Sequence, residues 1–355
     1  MSEDNMFENP RWEPPKVYRN FNDEAVKEAR RTVSRFALAL FVYLIAANVA
    51  VFAITTVMAL SMGAEKYTAF MLSHPVVEML LSTLPMYLIS LPILYAMVKP
   101  LPSASRGKQK LSLLELFCTF LVAEAFMMAG SLIGQSLNAS IGSIFNIEIN
   151  DATADIIMRT PVWLIFIMVV IVAPIVEEFI FRKLMIDKLS RFGDTFAIII
   201  SAVAFGLFHG NFYQFFYAAF LGLLLGYVYA KSGNVKYTVI FHMIINFLGS
   251  IVVLPLVKYE EILLTGAIPE TGAALREYVI ASIMLGSYTV LQYAMVIAGI
   301  VIFMQAIRQR KINLSKSCEI RIPRERITGA VLGNTGAILF LVISLLSFVA
   351  SIFIG

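Results

Sequence analysis

Charge is scarce in this sequence: Asp, Glu, Lys and Arg make up 15% of its 355 residues, against about a quarter in a soluble domain. Cysteine is scarcer, with Cys118 in an apolar run and Cys318 in a basic stretch. Two such thiols give no disulfide framework and no metal-ligand spacing. Histidine occurs three times, and the HExxH pattern of many zinc proteases is missing. No Ser or Cys with a neighbouring His stands out as a nucleophile. Tandem repeats, low-complexity tracts and any soluble-domain composition are missing as well.

What fills the space is apolar. Hydrophobic residues make up 59% of the chain and the mean hydropathy is +0.80, gathered into long uninterrupted runs. A bilayer is the solvent that tolerates such runs, and it admits only helices or closed barrels. The runs are about 20 residues long and do not alternate, so the expected fold is all-α, a polytopic transmembrane helical bundle. Apolar windows predict spans near 36–60, 76–98, 112–137, 161–182, 196–209, 213–230, 236–256, 280–307 and 331–354. The fifth and sixth are short, so eight or nine spans are expected. The first run, about 25 residues long, exceeds a signal-peptide core and is expected to remain as a span.

Basic residues alternate between the connecting segments. Of the 28 Lys and Arg residues, 24 fall in every second connection. The positive-inside rule then puts the N-terminus in the cytoplasm of a multi-pass cell-membrane protein. The net charge of +4 therefore reads as orientation signals and contacts with membrane lipids, the basic 308–326 connection included, and no nucleic-acid partner is expected. Residues 1–35 read as a flexible cytoplasmic leader ending in an interfacial helix over 22–35. Residues 36–355 form a single membrane domain.

Ionisable groups inside lipid cost about 2.5–3.5 kcal/mol each on insertion scales, so each one calls for a reason. The fourth span ends Ala173-Pro174-Ile175-Val176-Glu177-Glu178-Phe179-Ile180-Phe181-Arg182. Glu178 and Arg182 are four apart and share a helical face. Glu177 is turned about 100° away and remains free for another partner. Pro174 can open space beside it. A snorkelling interfacial cluster with Lys183 is the bland alternative.

His209 ends the fifth span, after Phe205-Gly206-Leu207-Phe208. Glu177 and His209 lie sixteen residues on either side of Gly193, so an antiparallel hairpin sets them at one depth. Facing each other, the two could hold and deprotonate a water; hydrogen-bonded packing is the alternative for His209. In the seventh span His242 and Asn246 share a face and both can donate, as an oxyanion site needs, or simply bond helix to helix. Counting through the short sixth span puts His242 nearer the cytoplasmic side than His209. Asn211, Tyr213, Gln214 and Tyr217 could line a substrate groove or anchor at the interface.

These residues form three ordered motifs, EExxxR, FxxxH and HxxxN, at Glu177-Glu178-…-Arg182, Phe205-…-His209 and His242-…-Asn246. In them the chain resembles the CPBP family, which includes CAAX-processing endopeptidases of the Ras-converting type, bacteriocin-processing enzymes and Abi proteins. The resemblance takes in Gly222-…-Gly226 and Ser232-Gly233-Asn234 and covers a catalytic core of about 160–255. It implies an intramembrane endopeptidase in which Glu177 activates water shared with His209. His242 and Asn246 would stabilise the oxyanion, with Glu178, Arg182 and Phe205 supporting. The implied partner is a peptide or protein substrate, membrane-anchored or lipidated. No cofactor is favoured; the alternative is a zinc ion held by Glu177, His209 and His242. The competing functions are a transporter or channel, and a non-catalytic immunity or scaffold protein of the same fold.

Overall fold

Without water to satisfy its backbone, a lipid-embedded segment pairs each amide within its own helix, and the computed structural model is built in that way. It describes residues 23–264, 272–312, 314 and 318–353. Its helices are α1 (Asp23–Met62), α2 (Ala64–Ser73), α3 (Pro75–Val98), α4 (Leu113–Phe145), α5 (Ala152–Arg159), α6 (Val162–Phe192), α7 (Asp194–Phe208), α8 (Phe212–Ser232), α9 (Val235–Leu264), α10 (Gly272–Arg308), α11 (Ile327–Val331) and α12 (Thr335–Phe353). Among the described residues there is no strand. Eight helices among the described residues are long and apolar enough to cross a membrane; α7, with 15 residues, falls short. That separates the eight-span from the nine-span count: the fifth apolar run is helical but extends only about 22 Å. The protein is a multi-pass membrane protein.

Helix α1 is continuous from Asp23, so residues 23–35, expected to be helical, run unbroken into the first span. Residues 1–22 of the expected flexible leader lie outside the described residues. Helix α6 carries the larger surprise. It continues past Arg182 to Phe192, ten residues beyond the expected end of the fourth span. Its polar last turns pair internally, with Lys183 2.7 Å from Asp187 and Tyr229 donating to Asp187 at 2.7 Å. Arg106, in the connection after α3, bridges Asp194 at 2.7 Å and Asp187 at 3.4 Å.

Helices α6, α7 and α8 pack closely, with α1 and α12 behind them. Phe36, Leu40 and Tyr43 of α1 meet Ile180 and Phe181 of α6, Phe205 of α7 and Phe340 of α12 in one core cluster. Glycine permits close approach between α7 and α8. A Cβ on Gly222 would stand 2.9 Å from Ala202 Cα, and one on Gly226 would stand 3.0 Å from Ile198. The Gly222-…-Gly226 face of α8 thus seats α7, as a small-xxx-small pair does in membranes. Polar punctuation fixes the ends of the site helices. Asn211 accepts from the Gln214 amide at the start of α8, and Asn234 accepts from the Lys236 amide at the start of α9. Gly233 closes α8 with φ 62°, a left-handed turn that glycine adopts without strain.

Candidate active site

The α6–α7 hairpin turns at Gly193, where φ is 114°, the centre expected from the Glu177/His209 spacing. The pairing across it is symmetric. Phe181 and Phe205 are twelve residues on each side of Gly193, and their rings meet edge to face at 5.1 Å. Glu177 and His209 therefore lie one turn further along, at a common depth.

Glu178 and Arg182 share a face of α6 as their spacing requires. Both side chains are fully buried, with Arg182 Nε 3.1 Å from Glu178 Oε2. Arg182 also donates to the Ser201 hydroxyl at 3.2 Å, and Ser201 in turn donates to the Phe181 carbonyl at 2.7 Å. The guanidinium sits over the Phe205 ring at 5.0 Å, a desolvated cation–π contact. Arg182 Nη2, Arg182 Nε and Glu178 Oε2 make no aligned hydrogen bond, so this pair is held by charge and packing more than by hydrogen-bond geometry. Such a pair costs desolvation and is tolerated because each charge has the other.

Glu178 turns its second oxygen to α9, where Oε1 is 3.1 Å from His242 Nδ1. A carboxylate paired with arginine only accepts, so the proton between them belongs to Nδ1. That fixes the ring and aims Nε2 at Glu177, whose Oε2 is 3.6 Å away. Glu177 is the open member of the set, with 19% of its side chain exposed against 4% for His242.

His242 was expected nearer the cytoplasmic end than His209; instead it meets Glu177 and Glu178 directly. The reason is the level at which α8 ends. Tyr229 binds Asp187, so the end of α8 is level with Asp187 rather than with the hairpin tip. Nine residues of α6 climb from Asp187 to Glu178, about 13 Å, and eight residues of α9 climb from Asn234 to His242, about 12 Å.

His209 joins the group from another side. Its backbone amide bonds to Gly206, which leaves the Phe205 carbonyl to the His209 ring: Nδ1 lies 2.8 Å from that oxygen. A carbonyl only accepts, so Nδ1 carries the proton and Nε2 is left with a free lone pair. The Phe205 ring lies edge-on to both imidazoles, 4.9 Å from His209 and 5.8 Å from His242. His209 is within electrostatic reach of Glu177 and His242 but makes no ion pair with Glu177 among the described residues. The expected Glu177/His209 face-off is therefore indirect, because the ring is drawn back along its own helix. His242 is the imidazole against Glu177.

Asn246 has a partner of its own. Helix α6 is π-helical over Phe166–Val172, and the Ala173 amide reaches back five residues to the Met168 carbonyl. The next amide in that register would bond Val169, but residue 174 is proline and has none. Asn246 Nδ2 supplies the missing donor, 2.9 Å from Val169 O. One of its two amide protons is thus spent on the backbone, and the second is free for other use.

Two further groups around Glu177 carry no signal in the sequence. Tyr43 of α1 and Tyr87 of α3 are within its electrostatic reach, together with Tyr217 of α8. Tyr217 was among the groove candidates; the other two come from spans that carry no motif. The three-residue ligand set of the zinc alternative, Glu177, His209 and His242, does not converge as a metal-binding group among the described residues.

Residues 159–248 match the family model described as type II CAAX prenyl endopeptidase Rce1-like, a stretch that begins just before α6 and ends in α9. A Bacillus subtilis (strain 168) protein named "Putative membrane peptidase YdiL" is 31% identical over 100 residues, 28% of this chain and 40% of the relative. The chain thus spans well under half the length of the curated relative it matches. No solved structure matches it. The segment that carries every motif residue of the site is, by that family match, similar to Rce1-like type II CAAX prenyl endopeptidases.

Proposed function

We propose that the protein is an intramembrane endopeptidase that hydrolyses a peptide bond in a membrane-associated, lipidated or membrane-anchored substrate. The observation that carries this reading is the partly open Glu177 carboxylate set against His242 at 3.6 Å, with His242 itself locked by the buried Glu178–Arg182 pair. The match of residues 159–248 to an endopeptidase family supports it. Glu177 takes a proton from a water whose second hydrogen is accepted by His209 Nε2. The hydroxide formed adds to the scissile carbonyl. His242, when protonated at Nε2, and the second amide proton of Asn246 stabilise the resulting oxyanion. Glu177 then passes its proton to the leaving amine, so the C–N bond breaks with no covalent enzyme intermediate. Glu178, Arg182 and Phe205 are positioning residues. The N-terminus is cytoplasmic, on the distribution of Lys and Arg.

The test is cleavage of a quenched peptide library by purified protein, comparing the wild type with Glu177→Ala and His209→Ala. Loss of turnover in both supports the reading, and equal cleavage by all three sinks it. Activity that survives exhaustive chelation, with no metal found by elemental analysis, is expected from a water activated by glutamate. Activity lost to chelation and restored by zinc would move Glu177, His209 and His242 to the role of ligands.

A further inference from the structure

Away from this site, a cleft of about 710 Å³ opens between α1, the end of α3 and the start of α12, lined by Arg30, Arg31, Ser34, Arg35, Leu38, Met97, Leu101, Asn334 and Thr335. Three arginines within six residues are its dominant feature. Arg30 and Arg31 make no ion pair among the described residues, although carboxylates nearby are engaged elsewhere: Glu28 binds Arg191. Arg35 donates Nε to the Met97 carbonyl at 2.7 Å, which holds it across the cleft, and its two terminal nitrogens have no partner among the described residues. Arg31 and Arg35 are one turn apart, and like charges at that spacing repel. The N-terminus of the 19-residue helix α12 adds its positive dipole end at Thr335. Asn334 caps that helix by accepting from the Ala337 amide, and the Gly336 amide donates to Ser34.

The level of the cleft matters as much as its charge. Arg35 is the last charged residue before the apolar run from Phe36 to Leu60, so the cleft straddles the boundary between headgroups and hydrocarbon. Leu38, three residues deeper in the apolar run, continues its wall on the apolar side, and Met97 lines it at the end of α3. Guanidinium groups match phosphate geometry through paired N–H donors, and an apolar wall directly beyond them suits an acyl chain.

We propose that this cleft is a binding site for an anionic phospholipid, its phosphate held by Arg30, Arg31 and Arg35 and the start of its chain laid against Leu38 and Met97. The proposal does not depend on the peptidase reading. It is tested on the full chain in neutral detergent, by native mass spectrometry with added phosphatidylglycerol or phosphatidylcholine. The wild type is expected to retain phosphatidylglycerol preferentially. The R30Q/R31Q variant removes two charges worth about a factor of five each near an anionic headgroup, so its affinity should fall about twenty-five-fold. R30K/R31K keeps the charges and should keep the preference. K108Q/K110Q removes two exposed lysines from the connection after α3 and should bind like the wild type. Equal retention of both lipids, or wild-type binding by R30Q/R31Q, would overturn the site. A matching loss in K108Q/K110Q would reduce it to unspecific charge. Inorganic phosphate that stabilises the wild type against heat as strongly as the lipid does, with the same sensitivity to R30Q/R31Q, would assign the cleft to a soluble phosphate and overturn the lipid.

Discussion

Replacing Asn246 by leucine removes the donor on which the Val169 carbonyl depends, and Pro174 makes that dependence testable. Interhelical hydrogen bonds in membranes are worth about 0.6 kcal/mol on average and up to about 1.7, whereas stranding a buried acceptor costs about 1–3 kcal/mol. Val169, part-buried, belongs in the middle of that range. The Ala173 amide is committed to Met168, residue 174 has no amide proton, and Asn246 at 2.9 Å is the donor in place. Asn246→Leu should therefore cost about 1.5–2 kcal/mol. Pro174→Ala returns an amide to this stretch of α6. Whether the helix keeps its π register or relaxes to α, Val169 then gains a backbone donor. In that background Asn246→Leu should cost no more than about 0.5 kcal/mol, a coupling of about 1 kcal/mol or more. Unfolding in mixed micelles of rising SDS fraction measures all four corners of the cycle. An additive result, with the leucine equally costly in both backgrounds, would refute the account of why an asparagine stands here. Peptide cleavage in the same proteins separates the two roles of Asn246. The double variant should recover stability without recovering turnover, because leucine returns no proton to the oxyanion.

Breaking the buried charge pair is expected to be far more severe. Arg182→Met leaves Glu178 fully buried without its guanidinium partner, and should destabilise the fold by about 3–5 kcal/mol, read as loss of folded protein in detergent. Glu178→Leu combined with Arg182→Met removes both charges and should fold better than Arg182→Met alone, while its activity stays low because His242 loses its anchor. On α8, Gly222→Ala forces a Cβ to within 2.9 Å of Ala202 on α7. It should cost about 1–3 kcal/mol in the same micelle assay. It should also lower turnover, since Ala202 adjoins the Ser201 that holds Arg182. Gly249→Ala, whose Cβ meets nothing within 4 Å, serves as its control and should be close to neutral.

Most of the architecture could be read from hydrophobic runs, because lipid imposes a single length scale on every span. The starts of α3, α4, α6, α8 and α9 fall within a residue or so of the apolar windows. The ends were harder. Polar turns such as Lys183–Leu189 look like loop in a hydropathy window, yet they stay helical because Asp187 gathers Lys183, Arg106 and Tyr229 around it. The depth of His242 went astray separately, because α8 ends level with Asp187 and not with the hairpin tip. Within the site, periodicity was enough to separate Glu178 from Glu177 and to pair the former with Arg182. It could not show which imidazole faces Glu177, because that depends on His209 spending Nδ1 on its own helix. Nor could it show the debt that Asn246 settles at Val169, which requires knowing the π register before Pro174. Tyr43 and Tyr87 lay beyond reach altogether. Aromatic residues in apolar spans carry no mark of what they face until the helices are packed.

The most direct measurement of the central claim is single-turnover cleavage by Glu177→Gln, in preparations matched to wild type for folded fraction. Glutamine keeps the size of the side chain opposite His242 and removes its capacity to take a proton. If Glu177 activates the water, the rate should fall by about 10²- to 10⁴-fold, the usual contribution of a general base, with the micelle unfolding midpoint nearly unchanged. A Glu177→Gln protein that folds like the wild type and cleaves at a similar rate would contradict the account.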